Sequence, residues 1–140
     1  MGNYTLRDVQ NWYTVFNGVT LTSAFSGNRS QTLDVQGVDQ ASLYVRWTPG
    51  TSGDDIDIQL EYSDQDAPGT TDWYIDGATS TSGGTITATD SFYRYDGAVA
   101  ATAYYSHISF PVADKKLRVS IRYNGTGAGT ATLKLGLSGI

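Results

Sequence analysis

Apolar residues recur at every second position in four stretches of this chain, and none of its segments carries a sustained apolar stripe at helical spacing. Successive side chains of a strand point to opposite faces, so this period of two is the mark of a strand with one greasy and one wet side. Leu43, Val45 and Trp47 alternate with Tyr44, Arg46 and Thr48 up to Pro49-Gly50, and Ile56, Ile58, Leu60 and Tyr62 alternate with Asp55, Asp57, Gln59 and Glu61. Near the C-terminus Leu117, Val119, Ile121 and Tyr123 alternate with Lys116, Arg118, Ser120 and Arg122. The turn residues Asn124-Gly125 follow, and then Leu133, Leu135 and Leu137. The spacing predicts two antiparallel hairpins, one around the Gly/Ser/Asp loop after Pro49 and one around Asn124-Gly125. A lone hairpin with one apolar face is not stable in water, so the two are expected in facing sheets. The fold class read from this pattern is all-β, an antiparallel β-sandwich or jelly roll.

Weaker strand signals fill the remainder: Val19 to Phe25, Gln31 to Val35, Asp72 to Ile75, Ile86 to Tyr95 and Ser106 to Val112. A chain of 140 residues is the size of one domain. The expected division is an N-terminal arm over 1–16 and a sandwich over 17–140. The arm holds Tyr4, Trp12, Tyr13 and Phe16. That many aromatics is more than a disordered tail carries, so it is expected to dock. Residues 77–91 form a Gly/Ser/Thr run that suggests a long loop or plain edge hairpin.

Composition removes several function classes from consideration. Without cysteine there is no disulfide, thiolate metal site or cysteine nucleophile. No stretch approaches the ~20 apolar residues of a membrane helix, and Met1-Gly2-Asn3-Tyr4-Thr5 leads into polar sequence, so neither a membrane partner nor a signal peptide is expected. A net charge of -5 and a pI near 4.5 disfavour nucleic acid, whose phosphates need a cationic surface. Lys115, Lys116, Arg118 and Arg122 are the one basic concentration, and they are read as a solvated strand face.

Candidate chemistry is sparse. His107 is the single histidine, and no Gly-x-Ser-x-Gly elbow accompanies it, so no catalytic residue is assigned and the chain is read as noncatalytic. Asp55, Asp57 and Glu61 share one strand face as a repelling column rather than a converging pair. Asp64 to Asp72 has a calcium-loop rhythm, but Pro68 sits at a ligand position and Ile75 replaces the bidentate glutamate; no metal or other cofactor is expected. The aromatics remain. Trp47 and Tyr62 belong inward, whereas Trp73, Tyr74, Tyr93 and Tyr95 could form a sugar-stacking platform, and Tyr104 and Tyr105 add to an aromatic surface of the kind found at protein interfaces.

The runs Leu43 to Gly50, Ile58 to Asp64, Asp72-Trp73-Tyr74, Leu117 to Arg122 and Gly129 to Leu133 resemble small structural proteins encoded among the head and tail genes of tailed bacteriophages. The resemblance covers about residues 40–137 without the middle. It implies a head-decoration or cement protein: a jelly-roll-like virion component that works as a homotrimer on a major capsid or other virion protein, made in the host cytoplasm. A tyrosine-serine-aspartate turn before a tryptophan also occurs in galactose-binding-like jelly rolls, which makes a carbohydrate-binding module or receptor-binding domain the alternative. On the first reading the contact is expected at Tyr4, Trp12, Tyr13 and Phe16; on the second, at Trp73, Tyr74, Tyr93 and Tyr95.

Overall fold

The computed structural model describes residues 11–76 and 92–139. Nine strands run through these described residues: β1 (Asn11–Thr20), β2 (Leu33–Asp34), β3 (Val38–Thr48), β4 (Asp54–Ser63), β5 (Tyr74–Ile75), β6 (Tyr93–Gly97), β7 (Tyr104–Pro111), β8 (Lys116–Asn124) and β9 (Thr130–Gly139). Their pairing is nested, β1 with β9, β2 with β8, β3 with β7 and β4 with β6, all antiparallel. Such a two-armed ribbon can bury its apolar side by rolling up, and here β9 also pairs β3 while β8 also pairs β4. The result is two antiparallel sheets, sheet A in the order β1-β9-β3-β7 and sheet B in the order β2-β8-β4, with β5 and β6 sharing the outer edge of β4. This is the double winding of a jelly-roll sandwich; the all-β, two-sheet class is the one the alternation predicted.

The four alternating stretches supply the core. Leu43, Val45, Trp47, Leu133 and Leu135 of sheet A face Ile56, Ile58, Leu60, Leu117, Val119 and Ile121 of sheet B, all but fully buried. At roughly 1.5–3 kcal/mol for each large apolar side chain removed from water, this single cluster is the main stabilising element.

Neither expected hairpin forms. β3 lies in sheet A and β4 in sheet B, and likewise β8 lies in sheet B and β9 in sheet A. The turns after Pro49 and after Asn124 are arches: they carry the chain across the sandwich, so the apolar faces meet through the core instead of lying side by side. The second arch is clamped by the buried Asp54 carboxylate, which accepts the Thr126 and Gly127 backbone N–H groups at 3.1 and 3.0 Å.

The expected arm is also revised. Residues 11–16 are the first half of β1, hydrogen-bonded to β9, and Phe16 is 7% exposed within the core. The boundary between 16 and 17 therefore falls inside a strand, while Tyr4 lies outside the described residues, as does all of 77–91. The weaker strands are shorter than or offset from their signals. Phe25 opens a 3-10 turn rather than ending a strand, and residues 22–30 run along the edge of β8, where Ser30 N–H donates to the Val119 carbonyl and Ile121 N–H to the Asn28 carbonyl.

Candidate functional site

The outer faces of the two sheets differ, and the difference locates the site. On sheet B the acidic column of β4 is not solvated. Asp57 is 0% and Glu61 3% exposed, because arginines from the flanking strands close over them. Arg94 on β6 donates from Nε and Nη2 to the two Asp57 oxygens at 2.7 and 3.0 Å, and Arg122 on β8 donates to Asp57 Oδ2 at 2.8 Å. Arg118 on β8 donates to Glu61, with Arg29 3.8 Å away. Hydrogen bonding to Asp57 holds the Arg94 guanidinium above its ordinary pKa.

An aromatic layer lies over these cations: Trp73 sits 4.3 Å from the Arg118 guanidinium, and Arg122 lies 4.3 Å from Phe25 and 5.0 Å from Phe92. Charge-assisted hydrogen bonds and cation–π contacts thus tie Arg94, Arg118 and Arg122 to acids and rings of this same face. Arg118 and Arg122 of the basic concentration read as solvated belong to a structural ladder whose other half is Asp57 and Glu61 of the repelling column, while Lys115 and Lys116 pair with the exposed Asp66 and Asp34.

The sugar platform expected at Trp73, Tyr74, Tyr93 and Tyr95 is not assembled. Trp73 covers Arg118, Tyr93 and Tyr95 pack partly buried against the core, and Tyr74 stands exposed on β5. Burial pushes the Tyr93 and Tyr62 phenols up. The carboxylates of the Asp64–Asp72 turn diverge as well: Asp72 accepts the Gly69 N–H at 2.7 Å, Asp64 accepts from Gln65, and Asp66 lies 3.7 Å from Lys115.

The outer face of sheet A is built from the outward phase of β1, β9, β3 and β7. Register places Trp12, Gly136, Ser42 and Ser109 in one cross-strand row, Thr14, Lys134, Tyr44 and His107 in the next, and Thr132, Arg46 and Tyr105 in a third. Trp12 lies over Gly136, where a Cβ would come within 2.8 Å of its ring, so only glycine admits this packing. Its centroid is 5.0 Å from Tyr44, which stacks on His107 at 5.3 Å, and the Arg46 guanidinium lies 5.6 Å from the Tyr105 ring. Trp12, Tyr44 and Tyr105 remain 47, 45 and 73% exposed. Tyr13, exposed, is on the opposite phase of β1 from Trp12, so the expected contact set of Tyr4, Trp12, Tyr13 and Phe16 contributes Trp12 alone to this face.

Between Tyr44 and Tyr105 lies an open depression of about 340 Å³, floored by Thr132, Lys134 and Ser106. A smaller one of about 130 Å³, lined by Arg46, Thr48, Thr130 and Thr132, continues it. His107 Nε2 is 3.3 Å from Ser109 Oγ, but among the described residues no carboxylate orients the ring, so the pair does not make a triad. The arrangement is suited to stacking, hydrogen bonding and charge attraction.

Sequence reading passed over Tyr44, Arg46, Thr132 and Lys134, although a signal was present. They are the outward phase of two of the strongest alternating strands, and that phase holds aromatics and cations without an acid. No protein-family model and no curated protein matches the chain.

Proposed function

We propose that this chain is a noncatalytic structural protein of a tailed-phage virion, a decoration or cement protein that self-associates and attaches to the particle surface. The observation that carries the reading is the free edge of β7. A strand edge presents unpaired N–H and C=O groups, and proteins blunt such edges unless they use them. Three of the four edges here are blunted. β1 has two register shifts and Gly18 at φ +61, the β8 edge is covered by residues 22–34, and the outer edge of β4 is taken by β5 and β6.

β7 has none of these devices: among the described residues nothing pairs its outer edge, no residue in Tyr104–Pro111 is charged, and its proline comes last. A two-fold axis normal to the sheet pairs residues only when their numbers sum to an even value, since opposed side chains share a face. The seven N–H-bearing residues 104–110 then centre on His107, with Tyr105 opposite Ser109 of the partner subunit. The homotrimer implied by the resemblance would instead join β7 to another edge, and β1 is irregular; the edges favour pairs. Modest contacts repeated over many symmetric copies become strong on a particle.

Because the chain lacks cysteine, His107→Cys gives a single thiol on the proposed axis. On mild oxidation it is expected to cross-link far faster than Gln65→Cys on the exposed turn, and His107→Lys, which sets two like charges face to face, is expected to abolish pairing in sedimentation velocity. A parent protein that stays monomeric up to millimolar concentration, with equal cross-linking of the two thiols, would defeat this reading. Attachment is tested by co-sedimentation with capsids of the phage that encodes the chain. Deleting residues 1–10 keeps β1 whole, whereas deleting 1–16 removes Phe16 from the core.

A further inference from the structure

The chain is acidic overall, yet its cations are not equally matched. Of its nine lysines and arginines, Arg29, Arg94, Lys115, Lys116, Arg118 and Arg122 each have a carboxylate within 4 Å. Arg7 lies outside the described residues. Arg46 and Lys134 have no such partner among the described residues, and they stand on adjacent strands beside the same depression. The outward positions around them, Thr14, Ser42, Tyr44, Thr48, Tyr105, His107, Ser109, Thr130 and Thr132, include no acid.

We infer that the depression between Tyr44 and Tyr105 binds an anionic saccharide, with Arg46 and Lys134 receiving its acidic groups. Three observations select this ligand chemistry. Two cations without a carboxylate partner among the described residues, on a face whose described outward positions carry no acid, are complementary to an anion. Tyr44 and Tyr105, which line the depression and stay exposed, carry apolar ring surface with hydroxyl rims, which suits the CH-lined face and polar edge of a pyranose. The adjoining track is walled by Thr48, Thr130 and Thr132, hydroxyl groups that can donate to or accept from a hydroxyl-rich chain. At about 340 Å³ the depression lies near the lower end of small-ligand sites, ~300–1,000 Å³. It is also open, as a site for an internal stretch of a polymer must be.

This site goes beyond the structural role proposed above and stands without it. If copies do pair through β7, the two-fold axis sets both depressions on the same side of one continuous sheet, and a long chain could engage both.

The test is titration calorimetry with trigalacturonate and, as a sulfated probe, a heparin hexasaccharide; binding of either is the expected result. Methyl-esterified trigalacturonate and hexaglutamate serve as neutral-sugar and acidic-peptide probes. Arg46→Gln, Lys134→Gln and Tyr105→Ala should each weaken binding about tenfold, in keeping with loss of one charge-assisted or stacking contact. Their circular dichroism and melting should stay unchanged, since neither cation has a carboxylate partner among the described residues. Absence of binding to both anionic sugars overturns the inference, as does equal binding of the methyl ester or of hexaglutamate. Polymeric polygalacturonate should bind tighter than the trimer only when pairing occurs. An intact trimer affinity with no gain on the polymer would count against the β7 pair and leave the saccharide site standing.

Discussion

Sheets A and B carry the same kinds of group on their outer faces, arginine beside aromatic rings, and put them to opposite uses. On sheet B the guanidinium groups of Arg94, Arg118 and Arg122 each sit between a buried carboxylate and a ring, as Arg122 does between Asp57 and Phe25. On sheet A, Arg46 rests on Tyr105 with no acid among the described residues. The acid decides the outcome. Where it is present, guanidinium and ring engage partners within the fold and the face is structural. Where it is missing, donors and rings stay available to something outside. An aromatic cluster on a strand surface is therefore no guide to binding until its charges have been matched.

That contrast can be broken first on sheet B, where the largest effect is expected. Asp57→Asn should destabilise the protein by about 3 kcal/mol, because both arginines lose the anion they were desolvated around. The value sits at the low end for buried pairs, since Arg94 and Arg122 keep access to water; Glu61→Gln should follow at about 2 kcal/mol. Urea unfolding measures both. Changes under about 0.5 kcal/mol would mean that the ladder is ornamental and that the two faces do not differ in kind.

A smaller effect of opposite sign is expected on sheet A. Thr14→Glu places a carboxylate directly across from Lys134 and should stabilise by a few tenths of a kcal/mol, the scale of an exposed cross-strand ion pair. By matching the cation it converts this corner toward the sheet B pattern and should weaken anionic-saccharide binding in the same calorimetry.

The smallest effect concerns Asp76, half-buried after β5, where desolvation holds the carboxyl above its ordinary value of 3.8. An acid whose folded pKa is raised favours the fold below its unfolded value, and that contribution is lost as pH rises through the folded pKa. Asp76→Asn should therefore gain stability relative to the parent between about pH 3 and pH 7. Parallel unfolding curves at both pH values would remove the assignment.

Much of the fold was legible in the residues. Leu43-Val45-Trp47 and Leu133-Leu135-Leu137 announced strands and their inward faces, and all six are buried. The turns at Pro49-Gly50 and Asn124-Gly125 were legible as turns but not as arches, because alternation records which side of a strand is apolar and not which neighbour it hydrogen-bonds. Asp57 was legible as polar and misread as wet, since the arginine that covers it most closely comes from Arg94, 37 residues away. The candidate site was half visible. Tyr105 stood out as an aromatic, whereas Tyr44, Arg46 and Lys134 looked like ordinary outward residues until register set them together.

By itself the sequence determined that this chain makes strands, which side chains enter the core, and that its surface is acidic, because period two and composition are local properties. Tertiary structure decided which sheet each strand joins, which polar faces are closed by partners, and where two cations are left unmatched among the described residues. Those outcomes depend on pairing between residues far apart in the chain, and the free energy of a charge is set by what lies opposite it rather than by its neighbours in sequence.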